Sequence, residues 1–404
     1  MQEISTDFIS GSGCKVFIAA TFDIIPVNDW NVCLQSDDQF LSSGYLRALE
    51  KSNLPGLSYY YILIYESGLP IAALYFQSSN LSDDELGGVL NLESYGMLAG
   101  SITSGINTFL FNPGKDKRSL LLVCGNLFVS GDHGIRAVSD AAFETALKLI
   151  PELFRYISSA TEPGTKMVAW MVKDFETGRD EVVKTLLTPL FFRLNTDPAM
   201  VMNINQEWKS FPDYLSALSS KYRVRANASL SRMEELQVRD IGIDEMAKRE
   251  TEITSLLNQV IAKAPVKLAR LSATYFIELK LHFGNQYDFR GLFLGDQMVA
   301  FTSGIWNPIR YEAHYIGLDY SLNKQYGLYQ NILYCYIEDA IRRKVTSLSF
   351  GRTALEIKST VGAKPVALGC YLRLNNKIYN SLARPLIGGT GTQAWIPRDP
   401  FRRN

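Results

Sequence analysis

Between Tyr287 and Phe350 the hydrophobic pattern changes period twice, and this constrains the fold more than any other feature of the chain. Tyr287 to Leu294 reads as a strand closed by Gly295-Asp296, a pair suited to a tight turn because glycine takes positive φ without a Cβ clash. The chain returns through Gln297 to Ile305. A third strand, Tyr311 to Leu318, sets Tyr311, Ala313 and Tyr315 on one face and Glu312, His314 and Ile316 on the other. Glu312 and His314 are therefore expected side by side. A helix from about Gln325 to Lys344 follows, with Leu328, Ile332, Leu333, Tyr336 and Ala340 as its buried stripe and Asn331, Glu338 and Arg342 on its wet side. The short strand Ser347 to Phe350 then enters Gly351-Arg352-Thr353, a helical segment reaching Lys358, and a turn at Gly362. Strand, helix, strand implies parallel pairing of the two flanking strands, and an α/β fold with mixed sheets.

A chain of 404 residues exceeds one ordinary core, so two domains of about 200 residues are expected. The first half supports this. Tyr59 to Tyr65 and Leu69 to Gln77 form an aromatic and β-branched hairpin, and Gly68-Leu69-Pro70-Ile71-Ala72-Ala73-Leu74 echoes Gly295-Asp296-Gln297-Met298-Val299-Ala300-Phe301. A strand at Leu120 to Cys124 and a helix from about Val138 to Ser159 come next, then a strand from Met167 to Lys173 and another from Phe191 to Ile204, interrupted by Pro198. Both halves thus read as hairpin, strand, helix, strand, a structural duplication. The boundary is set before Ser210-Phe211-Pro212-Asp213, which opens a helix with Ser at the N-cap and Asp at N3, giving domains 1–207 and 208–404. From Leu382 onward the composition turns to Gly, Thr, Pro and Arg, as in a tail packed on a surface.

Lys plus Arg and Asp plus Glu are 41 each, so no global field marks a nucleic-acid or membrane binder, and no DNA partner is expected. No apolar run approaches the roughly 18 to 20 residues that cross a bilayer, and five scattered cysteines without a Cys-x-x-Cys pair fit a reducing, cytoplasmic setting. Three histidines, His133, His282 and His314, lie in different elements with no partner at ligand spacing, so no metal is expected. The sequence has no Gly-x-Ser-x-Gly elbow, Walker loop or His-Glu-x-x-His; Gly389 to Ala394 matches G-x-G-x-x-A without the strand and helix that would give it meaning. Two local features can meet an anion. The loop Gly125-Asn126 to Ser130-Gly131-Asp132-His133-Gly134 is Gly-rich, although an ordinary connection explains it more readily, and Lys221, Arg223, Arg225 and Arg232 cluster around Tyr222, where a solvated helical face competes with a phosphate-binding surface.

The order of elements, with Phe350-Gly351-Arg352-Thr353, Lys358, Gly362-Ala363 and the stretch from Tyr214-Leu215 to Lys221-Tyr222-Arg223, resembles the GNAT acyltransferase superfamily, and within it the tandem, Fem-type branch. The resemblance implies two tandem GNAT-like domains, a diverged N-terminal one and a C-terminal one carrying the active site. It also implies transfer of an acyl or aminoacyl group, from acyl-coenzyme A or aminoacyl-tRNA, to the amine of a small molecule or peptide such as a cell-wall precursor. The superfamily's phosphate turn has the form Gln/Arg-x-x-Gly-x-Gly/Ala; the matching residues here are Lys324, Gln325, Gly327 and, where a small residue is usual, Tyr329. Acetyltransferases of the superfamily carry a Tyr four residues before a Gly near this point, and Lys358 holds that place before Gly362. Lys358 and Arg352 are thus candidates to grip a phosphate or an oxyanion, and Glu312 or His314 to take the amine proton. A non-catalytic ligand- or partner-binding protein on the same scaffold is the alternative, which the altered turn at Tyr329 favours.

Overall fold

A computed structural model describes residues 5–80, 118–131, 133–161, 164–263, 271–387 and 395–402. The chain begins with β1 (Ser5–Ile9), β2 (Lys15–Ala19), α1 (Val27–Cys33) and α2 (Ser43–Lys51), the last capped by Ser42 Oγ accepting from Tyr45 N–H at 3.3 Å. The hairpin β3 (Leu57–Glu66) and β4 (Leu69–Asn80) turns on Ser67-Gly68, both at positive φ as the handed twist of a two-residue hairpin demands. Then come β5 (Arg118–Cys124), β6 (Ile135–Ala137), α3 (Asp140–Ser159), β7 (Thr165–Glu176), α4 (Thr177–Leu187) and β8 (Phe192–Leu194).

The second set runs β9 (Ala199–Asn203), α5 (Phe211–Ala217), α6 (Ser220–Leu230), β10 (Gln237–Asp240), α7 (Ile243–Lys248), α8 (Glu250–Ala262) and α9 (Ala273–Phe283). It continues through β11 (Tyr287–Leu294), β12 (Gln297–Trp306), β13 (Arg310–Leu318), α10 (Tyr320–Tyr326), α11 (Leu328–Arg342), β14 (Ser347–Ser349), α12 (Leu355–Ser359) and β15 (Lys364–Val366). Last are β16 (Leu368–Leu374) and α13 (Lys377–Ile387), a helix where the composition suggested an irregular tail. The residues of the G-x-G-x-x-A match lie outside the described ones.

Two compact units emerge. One holds described residues 5–197 and 367–387, the other 198–263, 271–366 and 395–402. In the first, the sheet order is β1-β2-β3-β4-β5-β7-β16-β8 with β6 beside β4; in the second it is β10-β11-β12-β13-β14-β9-β15. Each sheet thus contains a strand drawn from the other half of the sequence. Pro198 marks the crossing: the expected strand from Phe191 to Ile204 is two strands, β8 and β9, in different sheets, because proline lacks the N–H that a continuous ladder needs.

In the first unit α3 buries Phe143, Ala146, Leu147, Ile150, Leu153 and Phe154 against the sheet, spaced as one helical face. The second core gathers around α11, whose expected stripe of Leu328, Ile332, Leu333, Tyr336 and Ala340 is buried. Two expectations are corrected here. The helix is not continuous from Gln325, because Gly327 at φ 59° ends α10 and opens α11; and Asn331 is fully buried rather than wet, its amide donating to Ser229 O and Tyr326 O at 2.9 Å each. The buried amide satisfies carbonyls freed where α6 and α10 end.

Candidate functional site

In the second unit the site residues gather where two parallel strands part. β13 and β14 pair only over Arg310–Ser347, Tyr311–Leu348 and Glu312–Ser349, after which β14 ends and β13 runs on to Leu318. Glu312, 8% exposed, therefore stands at the fork, with Arg310 Nη1 3.7 Å from its carboxylate.

Just past the fork, Gly351, Thr353 and Ala354 all have positive φ, a conformation costly for the two residues that carry a Cβ. Lys358, 5% exposed on α12, holds this turn: its ammonium donates to Phe350 O at 2.7 Å, Arg352 O at 2.6 Å and Gly351 O at 3.4 Å. Three carbonyls accepting from one buried cation fix the turn beside the fork. The Arg352 side chain is half-buried on the same turn.

His314 lies two residues beyond Glu312 in a β-bulge. Ser303 faces Tyr315 and Gly304 faces Ala313, so His314 is the extra residue. Its ring nitrogens are engaged, Nδ1 with Ser303 Oγ at 3.1 Å and Nε2 with Tyr275 Oη at 2.9 Å, and burial pushes its pKa down to about 3. The ring is thus neutral and already paired, which suits it to fixing geometry more than to accepting a proton.

The expected donor turn is reshaped. Lys324 and Gln325 are exposed on α10, and Gly327 at φ 59° faces Ser229 and Arg232 of the α6 end: a Cβ there would lie 3.1 Å from Ser229 Oγ and 4.0 Å from Arg232 Cδ. Tyr329 N–H, at the start of α11, donates to Asn323 Oδ1 at 2.9 Å, so one amide of the expected phosphate cradle is already capped from within. Lys221, Arg225 and Arg232 are exposed and Arg223 is half-buried; Lys221 and Arg225 flank the Tyr222 ring at 5.8 and 5.7 Å. Among the described residues none of these four is ion-paired. On α8 an open groove of ≈ 730 Å³ is lined by Thr251, Thr254, Ser255, Asn258 and Gln259, and Gln259 Oε1 accepts from Tyr320 N–H at the start of α10.

In the first unit the matching strands pair over seven residues, up to Cys124 opposite Val172, where β5 ends and β7 runs on to Glu176. The Gly-rich loop beyond is tied from inside: Lys173 Nζ donates to Asn126 O at 2.7 Å and Val129 O at 2.9 Å, and Gly131 N–H donates to buried Asp174 Oδ2 at 3.1 Å. An internal carboxylate occupies the position in which this loop would meet an anion.

Of the residues singled out in the sequence, Glu312, Arg352 and Lys358 lie around one fork, with His314 beside it, and Lys324, Gln325 and Gly327 lie at the α10–α11 junction. Sequence reasoning missed Tyr275, Ser303 and Asn323, and took Tyr336 only as part of the buried stripe, because periodicity does not report the hydrogen bonds through which they act. Among the described residues no group of three or more His, Cys, Asp or Glu side chains could hold a metal, and no helix is long and apolar enough to cross a membrane.

No family model and no curated protein matches the sequence. Solved structures do. The crystal structure of FemX aligns with a TM-score of 0.52 at 10% identity, over 88% of this chain and 96% of that one. A tandem GNAT protein from the clavulanic acid biosynthesis pathway aligns at 0.50 and 9% identity, over 90% and 99%. The fold is therefore the tandem GNAT fold, of the Fem-like kind.

Proposed function

We propose that this tandem GNAT-fold chain is an acyltransferase, moving an acyl or aminoacyl group from acyl-coenzyme A or aminoacyl-tRNA to the amine of a small molecule or peptide, at one site in the second unit. The observation that carries the reading is the fork at Glu312, where β13 and β14 pair over only three residues against seven for β5 and β7, with Lys358 holding the turn just beyond it. The amine attacks the acyl carbonyl, a C–N bond forms, and the bond to the thiol sulfur or ribose oxygen breaks. Glu312 takes the amine proton, and the leaving group regains one from the Lys358 ammonium or solvent. Lys358 and Arg352 offset negative charge on the carbonyl oxygen, and His314 relays the proton only through the groups that already hold it.

Lys324, Gln325 and Gly327 hold the donor's phosphate, and the basic face of α6 extends that contact if the donor is tRNA. One observation favours the second reading, a binding protein without catalysis: Asn323 caps the amide of Tyr329 where a donor phosphate would sit.

A thermal-shift titration with coenzyme A, several acyl-coenzyme A thioesters and bulk tRNA, at two salt concentrations, separates these. A ligand at a hundredfold its dissociation constant adds about 2.7 kcal/mol to stability. A shift with a thioester identifies that donor class, and a salt-sensitive shift with tRNA identifies the other. No shift with any of them moves the assignment to the binding protein.

A further inference from the structure

The bulge at His314 is held from both faces of the sheet, by Tyr336 on one and by Ser303 with Tyr275 on the other. A bulge breaks the ladder, leaving strand carbonyls without their usual donors. Here Ser303 O and Tyr315 O, one from each strand, both meet the Tyr336 hydroxyl of α11, at 3.0 and 2.8 Å. Tyr336 is buried, with its ring against Tyr311 and Phe350 at centroid distances of 6.1 and 6.5 Å. On the opposite face Ser303 Oγ accepts Tyr315 N–H at 3.1 Å and meets His314 Nδ1, while Tyr275 of α9 meets Nε2. Ser303 is thus gripped by its carbonyl from one side and by its hydroxyl from the other.

We infer that Tyr336 is a positioning residue, whose hydroxyl bridges one carbonyl of each strand and so sets the direction in which β13 presents Glu312 and His314 to the acyl-transfer site; this rests on the function proposed above. The physical reason is the period of a strand. One extra residue decides which side chains face the fork, so a bulge that relaxes reorients its neighbours. Tyr336 touches no reacting atom in this scheme. It acts by keeping the bulge at His314 and nowhere else.

The test is Y336F, which removes the hydroxyl and keeps the ring. With only three histidines in the chain, ¹⁵N-histidine NMR resolves each ring, assigned through His133→Gln and His282→Gln. In the unsubstituted protein His314 is expected to show one fixed neutral tautomer that does not titrate between pH 5 and 8. In Y336F its ring signals shift or divide between tautomers while those of His133 stay in place, and kcat falls by about tenfold to a hundredfold at unchanged KM, the scale of a small misplacement at a reacting centre. Superimposable His314 signals in Y336F, or a change confined to KM, overturns the inference.

Should Y336F fail to fold, ¹³C-tyrosine NMR of the unsubstituted protein decides. A slowly exchanging Tyr336 hydroxyl proton supports the bridge, and a rapidly exchanging one refutes it. The NMR readouts need no substrate. Absence of any transfer by the unsubstituted protein therefore defeats the proposed function, while the NMR still tests the role of Tyr336.

Discussion

Cutting the chain after Glu207, where the sequence places the boundary between halves, is expected to leave residues 208–404 unable to fold alone. The cut removes β9 from the second sheet, where Val201 pairs with both Ser349 and Lys364 and the strand joins β14 to β15. Met200 and Met202 are fully buried and Ile204 nearly so. Fully burying side chains of this size contributes about 1.5–3 kcal/mol each, so their loss costs about 5–9 kcal/mol. That approaches the whole stability of a typical domain, about 5–15 kcal/mol. The same fragment carries β16, whose partners β7 and β8 are in the other piece. Expressed alone, 208–404 should give a poorly dispersed ¹H–¹⁵N spectrum and no cooperative melt; co-expressed with 1–207 it should copurify as a folded complex. A sharp melt and a dispersed spectrum from 208–404 alone would refute the reasoning.

Three further outcomes follow from the buried charges and histidines. His314 and His133 are held neutral by burial, each pushed down to about 3, so between pH 6.5 and 3 the unfolded chain binds protons that the folded chain does not. Stability therefore falls as pH drops through this window, by about 2 kcal/mol per histidine at pH 5, read from urea melts at stepped pH. Asp339 acts in the opposite sense: burial raises its pKa to about 6 against the pull of Arg290 and Arg342, so the folded state binds its proton more tightly and that contribution grows as pH falls from 6 toward 4. Asp339→Asn should abolish this component, about 3 kcal/mol, in the same melts, leaving Arg290 with Asp240 and Glu338. Lys358→Met strands the carbonyls of Phe350, Gly351 and Arg352 and should cost about 2–4 kcal/mol in urea unfolding, with loss of transfer activity in the protein that remains folded.

Much of the architecture was legible because periodicity reports burial. The hairpin, third strand, helix and parallel strand of each half follow from it, as do the buried positions of α11. What it misassigned were places where a polar group is buried for a reason of geometry. Asn331 reads as solvent-facing by its polarity, yet it joins the ends of α6 and α10 to α11. The echo between the two hairpins is real but one residue out of step: Leu69 closes its turn opposite Glu66 as Gln297 does opposite Leu294, so Ile71 corresponds to Val299, not Met298. Both hairpins then skip a residue at the same place, between Ile64 and Tyr65 and between Leu292 and Phe293. An alignment by identity cannot register a bulge, because the bulge is set by cross-strand partners distant in sequence.

The same limit explains why one working site, not two, is the better reading of a duplicated fold. The loop between β5 and α3 in the first unit is richer in glycine than the junction at Gly327, yet an ordinary connection explained it more readily than an anion site. Glycine permits a close approach by whatever is nearest. In the first unit that is the protein itself: a Cβ on Gly125 would lie 2.7 Å from Lys173 Cγ, and one on Gly131 would lie 2.6 Å from His133 Nε2. Lys173 and Asp174 bond each other at 2.7 Å and share out the loop's carbonyls and an amide, while Asp174 takes positive φ to reach it and also accepts from Cys370 Sγ at 3.0 Å. A buried lysine also holds the turn in the second unit, where the Lys358 ammonium donates to the carbonyls of Phe350 and Arg352. There β13 and β14 pair over three residues, against seven for β5 and β7, and β13 runs on to Leu318 beyond the last pair.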